Sequence, residues 1–254
     1  CCCQAEDGIR SCLLSRGRGE LYKRQPTIYS SESFVVATGG LSIPTMGATG
    51  LGYELAQQFK HTLVTTEASL VPFTFTDKTG ELIRALAGIS VPVVASNERA
   101  SFKLPLLFTH RGLSGPAMLQ LSNYWHSGEY IKIDLLPQTN IAKLLLAHKK
   151  SHPKQLIRTV LAEHTVESHS HKNVDSDNDN NNDSHKLPKK RIAALQTFLW
   201  EDIKDTELAN IKDERLIELG DTINGWPLKP SGTEGYRTAE VTRGGIKTDE
   251  VSSK

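Results

Sequence analysis

Three stretches of this 254-residue chain combine residue types and spacings that can do chemistry. In the first, a β-rich run, Ser33-Phe34-Val35-Val36, ends in Ala37, Thr38, Gly39 and Gly40, and a loop with three further glycines leads to Gly52. A strand ending in Gly-Gly has no Cβ to hinder a neighbouring backbone or a flat ligand. The carboxyl ends of strands are also where open α/β sheets bind nucleotides. A tight strand-to-helix connection needs the same glycines for its turn alone. In the second stretch, His110 and Arg111 precede Gly112-Leu113-Ser114-Gly115, and Pro116 opens an apolar helix that Ser114 or Gly115 can cap. Free amides at that helix start, beside Arg111, form an anion or oxyanion site; the alternative is a capped turn in which both side chains satisfy local carbonyls. In the third, Glu234, Tyr236, Arg237 and Glu240 crowd around glycines, and Gly244-Gly245 ends another strand-like run. This is either a salt-bridged hairpin or backbone lining a flat ligand, with Arg237 or Tyr236 reaching an anionic or carbonyl substrate.

Several chemistries are disfavoured. No Lys-Ser/Thr follows Gly52, so the glycine loop is not a P-loop, and no G-x-G-x-x-G opens a Rossmann unit near the start. Ser114 is followed directly by Gly115, so the nucleophile elbow of a serine hydrolase is missing, although His110 and His126 could serve as bases. Histidines and carboxylates gather between His164 and His185, but almost nothing apolar accompanies them. That composition reads as a solvated linker, and no metal site is expected.

The elements that must position these residues follow from periodicity. Leu51, Leu55 and Phe59 lie on one face of a helix after the glycine loop. Between Leu63 and Leu136 short strand-like runs dominate, with Pro72 and Pro92 marking edges or bulges, which suggests a small antiparallel sheet or barrel. Beyond Thr139 the pattern becomes helical. Asn140 caps one segment, Pro153 occupies the first turn of a second, Pro188 starts a third, and a fourth runs from Asp213 to a stop at Gly225.

The ends differ from the body. All four cysteines lie before Pro26, three of them adjacent, a pattern that matches no zinc-ligand spacing. Residues 1–25 resemble a translated sequencing adapter; a basic N-terminal arm is the alternative. The chain is expected to be the interior of a longer protein, cut at both sides. Removing the head's five basic and three acidic residues from the 30 and 29 of the whole leaves 25 against 26, a net charge of −1. Such balance gives no electrostatic reason to expect nucleic acid or an anionic membrane as partner. The cysteine-free body is compatible with a cytoplasmic location.

Taken in order, Ala37-Thr38-Gly39-Gly40-Leu41-Ser42-Ile43-Pro44, Leu107-Phe108-Thr109-His110-Arg111-Gly112-Leu113-Ser114-Gly115-Pro116 and Gly232-Thr233-Glu234-Gly235-Tyr236-Arg237 resemble the aminoacetone-oxidase-like NAD(P)/FAD-dependent oxidoreductases, a bacterial family that includes bile-acid-reductase-type flavoproteins. The resemblance implies an α/β fold: part of a two-dinucleotide-binding-type FAD domain with an inserted small β-barrel and helical subdomain. Residues 26–62 would close the first FAD-domain segment, 63–137 form the β-rich insert, 138–225 the helical insert with a linker at 165–187, and 226–254 return towards the FAD domain. It further implies FAD as cofactor, NAD(P)H as a possible reductant, and hydride transfer to or from a small organic substrate. Ala37, Thr38, Gly39 and Gly40 would lie beside the adenosine-pyrophosphate portion, with Gly244 and Gly245 leading back towards the flavin. His110, Arg111 and Arg237 would polarise the substrate. The family's N-terminal glycine fingerprint, ribose-binding acidic residue and C-terminal flavin-contacting segment are missing, so this piece alone is expected to be inactive. A non-catalytic nucleotide-binding or scaffold module is the competing function.

Overall fold

The computed structural model describes residues 32–167 and 189–251. The cysteine-rich head and most of the expected linker lie outside these residues. In chain order the first elements are α1 (Leu51–Gln58), β1 (Leu63–Ser69), β2 (Phe73–Thr74), α2 (Lys78–Ala85), β3 (Ser90–Ser96), β4 (Ser101–Phe108) and β5 (Gly112–Ser114). After α3 (Pro116–Ser122) and β6 (Ile131–Asp134) come the helices α4 (Ile141–Ser151), α5 (Ile157–Glu167), α6 (Lys189–Leu199) and α7 (Asp213–Asn224). The strands β7 (Trp226–Leu228), β8 (Gly232–Thr233) and β9 (Val241–Ile246) complete the order. Two units result: residues up to Ala68 with Tyr236–Lys254 form one, and Ser69–Gly235 form the other.

The larger unit is an antiparallel sheet in the order β7-β6-β3-β4-β5-β2-β8. Its two edges are consecutive in sequence. From Leu228 to Gly232 the chain takes four Cα steps, about 15 Å at most, whereas six strand spacings of a flat sheet amount to about 29 Å. The sheet therefore curls, and a barrel-like wall is the only shape the connection permits. Alternation along the strands turns Val91, Val93, Ala95, Leu106, Phe108, Ile131 and Ile133 to the inner face, all essentially inaccessible. There they meet Ala117, Met118 and Leu121 of α3, which packs on β3, β4 and β5. Phe73 and Trp125 add an edge-to-face pair with centroids 5.3 Å apart, the arrangement aromatic quadrupoles favour.

The helices begin and end where local chemistry directs. Asp77 accepts from the Gly80 amide at 3.2 Å and Asn140 from the Lys143 amide at 2.8 Å, each supplying an orphan donor of a first turn. Asn224 ties the end of α7 to the start of α4. Its Oδ1 accepts from the Ile141 amide at 2.8 Å, while its Nδ2 donates to Asp134 Oδ1, Leu136 O and Thr139 O at 3.0, 3.1 and 2.9 Å. Among the described residues no helix is long and apolar enough to cross a membrane.

Four sequence expectations need correction. Residues 33–36 form no strand, and Phe34, Val35 and Val36 are exposed. β-propensity reflects packing against cross-strand neighbours, so the run alone does not make a strand. The second helix starts at Ile157, not at Pro153, because the Pro153 carbonyl is engaged by the Ala209 amide at 2.8 Å and Gln155 makes a turn with His152. Gly244 and Gly245 lie within β9 instead of ending it. Residues 226–233, read as the start of the return segment, supply β7 and β8 to the curled sheet.

Candidate functional site

The glycine loop is built in the smaller unit. Gly39 has φ +68° and is exposed, and a Cβ placed on it would have no atom within 4 Å. Its neighbour is different: a Cβ on Gly40 would come within 2.6 Å of Thr242 Oγ1 and 3.1 Å of the Tyr53 hydroxyl. Thr242 Oγ1 in turn accepts from the Leu41 amide at 2.8 Å and shares a 3.0 Å hydrogen bond with Ser42 Oγ. Gly244, at φ +84°, lies against the Thr65 carbonyl of β1, and Gly245, at φ +110°, would set a Cβ 3.1 Å from the Tyr53 ring. Thr38 packs over Gly52 of α1, and Ala37 is exposed.

Gly40 and Gly245 thus converge on one tyrosine, and their missing side chains are used by the protein's own packing. Gly39, like Gly47 further along the loop, offers open backbone. Ile43, a β-branched residue, is held in the left-handed region at φ 55° by the bond from its amide to the Tyr236 carbonyl at 2.8 Å. Such strain persists only where surrounding structure enforces it, and it concentrates at functional sites. In the same unit the Tyr236 hydroxyl and Thr238 Oγ1 are buried without a hydrogen-bond partner among the described residues, a costly condition. Arg237, between them, is exposed.

His110 and Arg111 belong to the larger unit, on the turn joining β4 to β5. Thr109 Oγ1 organises this turn by donating to the Gly112 carbonyl at 2.9 Å and accepting from the Arg111 and Gly112 amides at 3.3 and 3.1 Å. Both candidate side chains are exposed. Arg111 Nη1 approaches Glu234 Oε2 at 3.4 Å, with the carboxylate side chain only 11 % exposed and the arginine 56 %. Arg111 therefore answers the carboxylate of the third stretch and not the start of α3. That helix start is packed shut: a Cβ on Gly115 would meet the Leu107 amide at 2.7 Å, and Ala117 is fully buried. The helix has no side-chain cap.

Thr242, Tyr53 and Ile43 were not singled out from sequence. Thr242 meets Gly40, Tyr53 meets Gly245 and Ile43 meets Tyr236 across about two hundred residues, and no local pattern announces such pairing. Glu234 was legible as a dense polar group, but its partner was not. Among the described residues, no three His, Cys, Asp or Glu side chains gather as a ligand set.

A curled antiparallel sheet carrying a helical bundle, set between two segments of another unit, defines a barrel-and-helix protein. Residues 67–200 match the HI0933-like protein barrel and H2TH domain, and the chain belongs to that family, which is part of the FAD-dependent oxidoreductase superfamily. It is 42% identical over 232 residues, 90% of this chain, to the "Ribosomal RNA dihydrouridine synthase" of Haemophilus influenzae, and 41% identical over 226 residues, 88% of this chain, to the Escherichia coli protein of the same name. The chain spans about half the length of these relatives, 51% and 50% respectively. The flavoprotein resemblance thus holds at the level of the superfamily, while both relatives carry a name other than aminoacetone oxidase.

Proposed function

We propose that this chain is part of a flavin-dependent reductase that converts a uridine of ribosomal RNA to dihydrouridine. The observation that carries this is the identity of two-fifths across nine-tenths of the chain to two relatives bearing that name. RNA then takes the place of the free small molecule implied by the sequence resemblance. A colourless scaffold module is the reading it displaces.

The chemistry sets what the protein must supply. Saturating the uracil C5–C6 bond adds a hydride to C6 and a proton to C5, with negative charge collecting on O4 in between. FAD, when bound and reduced by NAD(P)H, would supply the hydride and return to its oxidised form. The chain's residues fit a cofactor at one place above all: the exposed, open backbone of Gly39, flanked by the strained Ile43. Gly40, Gly244 and Gly245 act by holding Thr242, Thr65 and Tyr53 close, which fixes that loop. Charge developing at O4 is stabilised by a positioned cation. Arg111, oriented by Glu234, is our candidate, with His110 beside it and Arg237 as a further polarising group.

Deleting the gene should remove a dihydrouridine from ribosomal RNA, read by nucleoside mass spectrometry, and restoring it should return the modification. Unchanged dihydrouridine content overturns the assignment. In the full-length protein, Gly39→Val should lower flavin content several-fold. A Cβ there meets no described atom within 4 Å, so the cost to folding is chiefly the left-handed backbone preference, about 1–2 kcal/mol. Full flavin occupancy in that variant removes Gly39 from the cofactor site.

A further inference from the structure

The outer face of the curled sheet carries cations that the proposed reduction does not use. Lys103 of β4 stands opposite Val94, and Lys132 of β6 stands between Ser96 and Pro227. All three neighbours alternate with inward core residues, so both lysines point away from the core, and both are exposed. Tyr130, two residues before Lys132, and Lys229, two residues after Pro227, continue the same face. Extending the β6–β7 register places them directly opposite one another. The structure bears this out, with Lys229 Nζ 5.5 Å from the Tyr130 ring centroid. Tyr130 is 61 % exposed, although a tyrosine usually buries most of its ring. None of the three lysines forms an ion pair among the described residues.

Acidic groups on this side are already committed. Glu129 is clasped by Arg99 through both carboxylate oxygens. Asp134 Oδ1 accepts from the Leu136 amide and from Asn224 Nδ2, each at 3.0 Å. Glu98 sits beside Arg99 on the β3–β4 turn and raises its basicity. The face is thus a cationic strip across four strands, about 14 Å wide at the ordinary strand spacing, with one exposed aromatic ring. A polyanion whose units also carry flat rings is the matching ligand. Lysines take phosphates, and the ring stacks an unpaired base.

We infer that Lys103, Lys132, Lys229 and Tyr130 form a contact surface for single-stranded RNA on the outer wall of the sheet. The inference deepens the RNA assignment above and rests on it. It names where substrate is gripped, away from the residues argued to polarise the base.

The test uses the full-length protein and a fluorescein-labelled oligouridylate, with binding followed by anisotropy from 50 to 200 mM salt. Replacing all three lysines by glutamine should weaken binding at least tenfold at 100 mM salt. It should also lower the slope of log affinity against log salt by about two, at about 0.7 per lost phosphate contact on single strands. Lysine-to-arginine replacements should restore both. Tyr130→Ala should weaken binding fivefold or more, and Tyr130→Phe should restore it, because stacking needs the ring and not the hydroxyl. Flavin content and thermal unfolding should match the wild type in every variant. Wild-type binding that the lysine and tyrosine variants leave unchanged overturns this surface and spares the RNA assignment. A wild type that binds no RNA overturns the surface, and with unaltered ribosomal dihydrouridine in the deletion strain it overturns the assignment too. Lysine-dependent binding to phosphatidylserine–phosphatidylcholine vesicles without RNA binding gives the face to a membrane and overturns the inference.

Discussion

Arg99 and Glu129 show how one residue pair shapes the rim of the sheet. Arg99 Nη1 donates to Glu129 Oε2 at 2.7 Å and to the Tyr124 carbonyl at 2.8 Å, while Glu129 Oε2 also accepts from the His126 amide at 3.0 Å. The Arg99 guanidinium, followed by that amide, lowers the Glu129 carboxyl from its ordinary 4.5 to about 2. A depressed carboxyl stabilises the fold fully above its unfolded value and loses that contribution as pH falls through the folded one. The clasp therefore weakens between pH 4.5 and about 2 on acidification. A carbon-13 titration of the Glu129 side chain should show a midpoint near 2, and Arg99→Ala should return it towards 4.5. A wild-type midpoint at 4.5 contradicts the clasp. Sequence made His110, Arg111 and Glu234 visible, because charged groups beside glycines stand out in one dimension. It could not show that Thr242 holds the Leu41 amide beside Gly40, since that bond closes over 201 positions.

At the scale of elements, close approach of α4 and α7 depends on Gly220. A Cβ there would fall 2.5 Å from Ala142 Cα and overlap the Ala142 amide. Alanine is the better helix former by about 1 kcal/mol, yet overlap with backbone cannot be relieved by a rotamer change. Gly220→Ala should therefore destabilise the protein by about 1–3 kcal/mol, read as a lower midpoint in urea. A gain in stability shows that the helices can separate without loss. Helix starts and stops were largely legible: Asn140 caps α4, Pro116 opens α3 and Gly225 ends α7. These signals act within one turn. Pro153 misled because its carbonyl answers a residue far along the chain, and the run 33–36 misled because propensity creates no partner strand.

For the whole molecule, the contiguous core falls within one unit, running from Phe73 to Leu228. A segment covering residues 69–235 should fold alone, with a single cooperative thermal transition and helix content matching its share of the whole. A broad or absent transition shows that it needs the remaining residues. The antiparallel class and the helical half were readable from period and punctuation, which left sheet and barrel both open; the curl decides between them. It follows from which strands sit at the edges, a property of register rather than of composition. Net charge is silent on partners for a related reason. A total of +1 over 254 residues hides a strip where alternation has gathered cations on one side.

The Glu234 amide donates to the Pro72 carbonyl at 3.0 Å, so the larger unit is entered and left through a single doorway. Chain ends that lie this close are what lets one domain be inserted within another chain at small cost. A unit tethered in this way can change in size or sequence without lengthening the path between the residues that flank it.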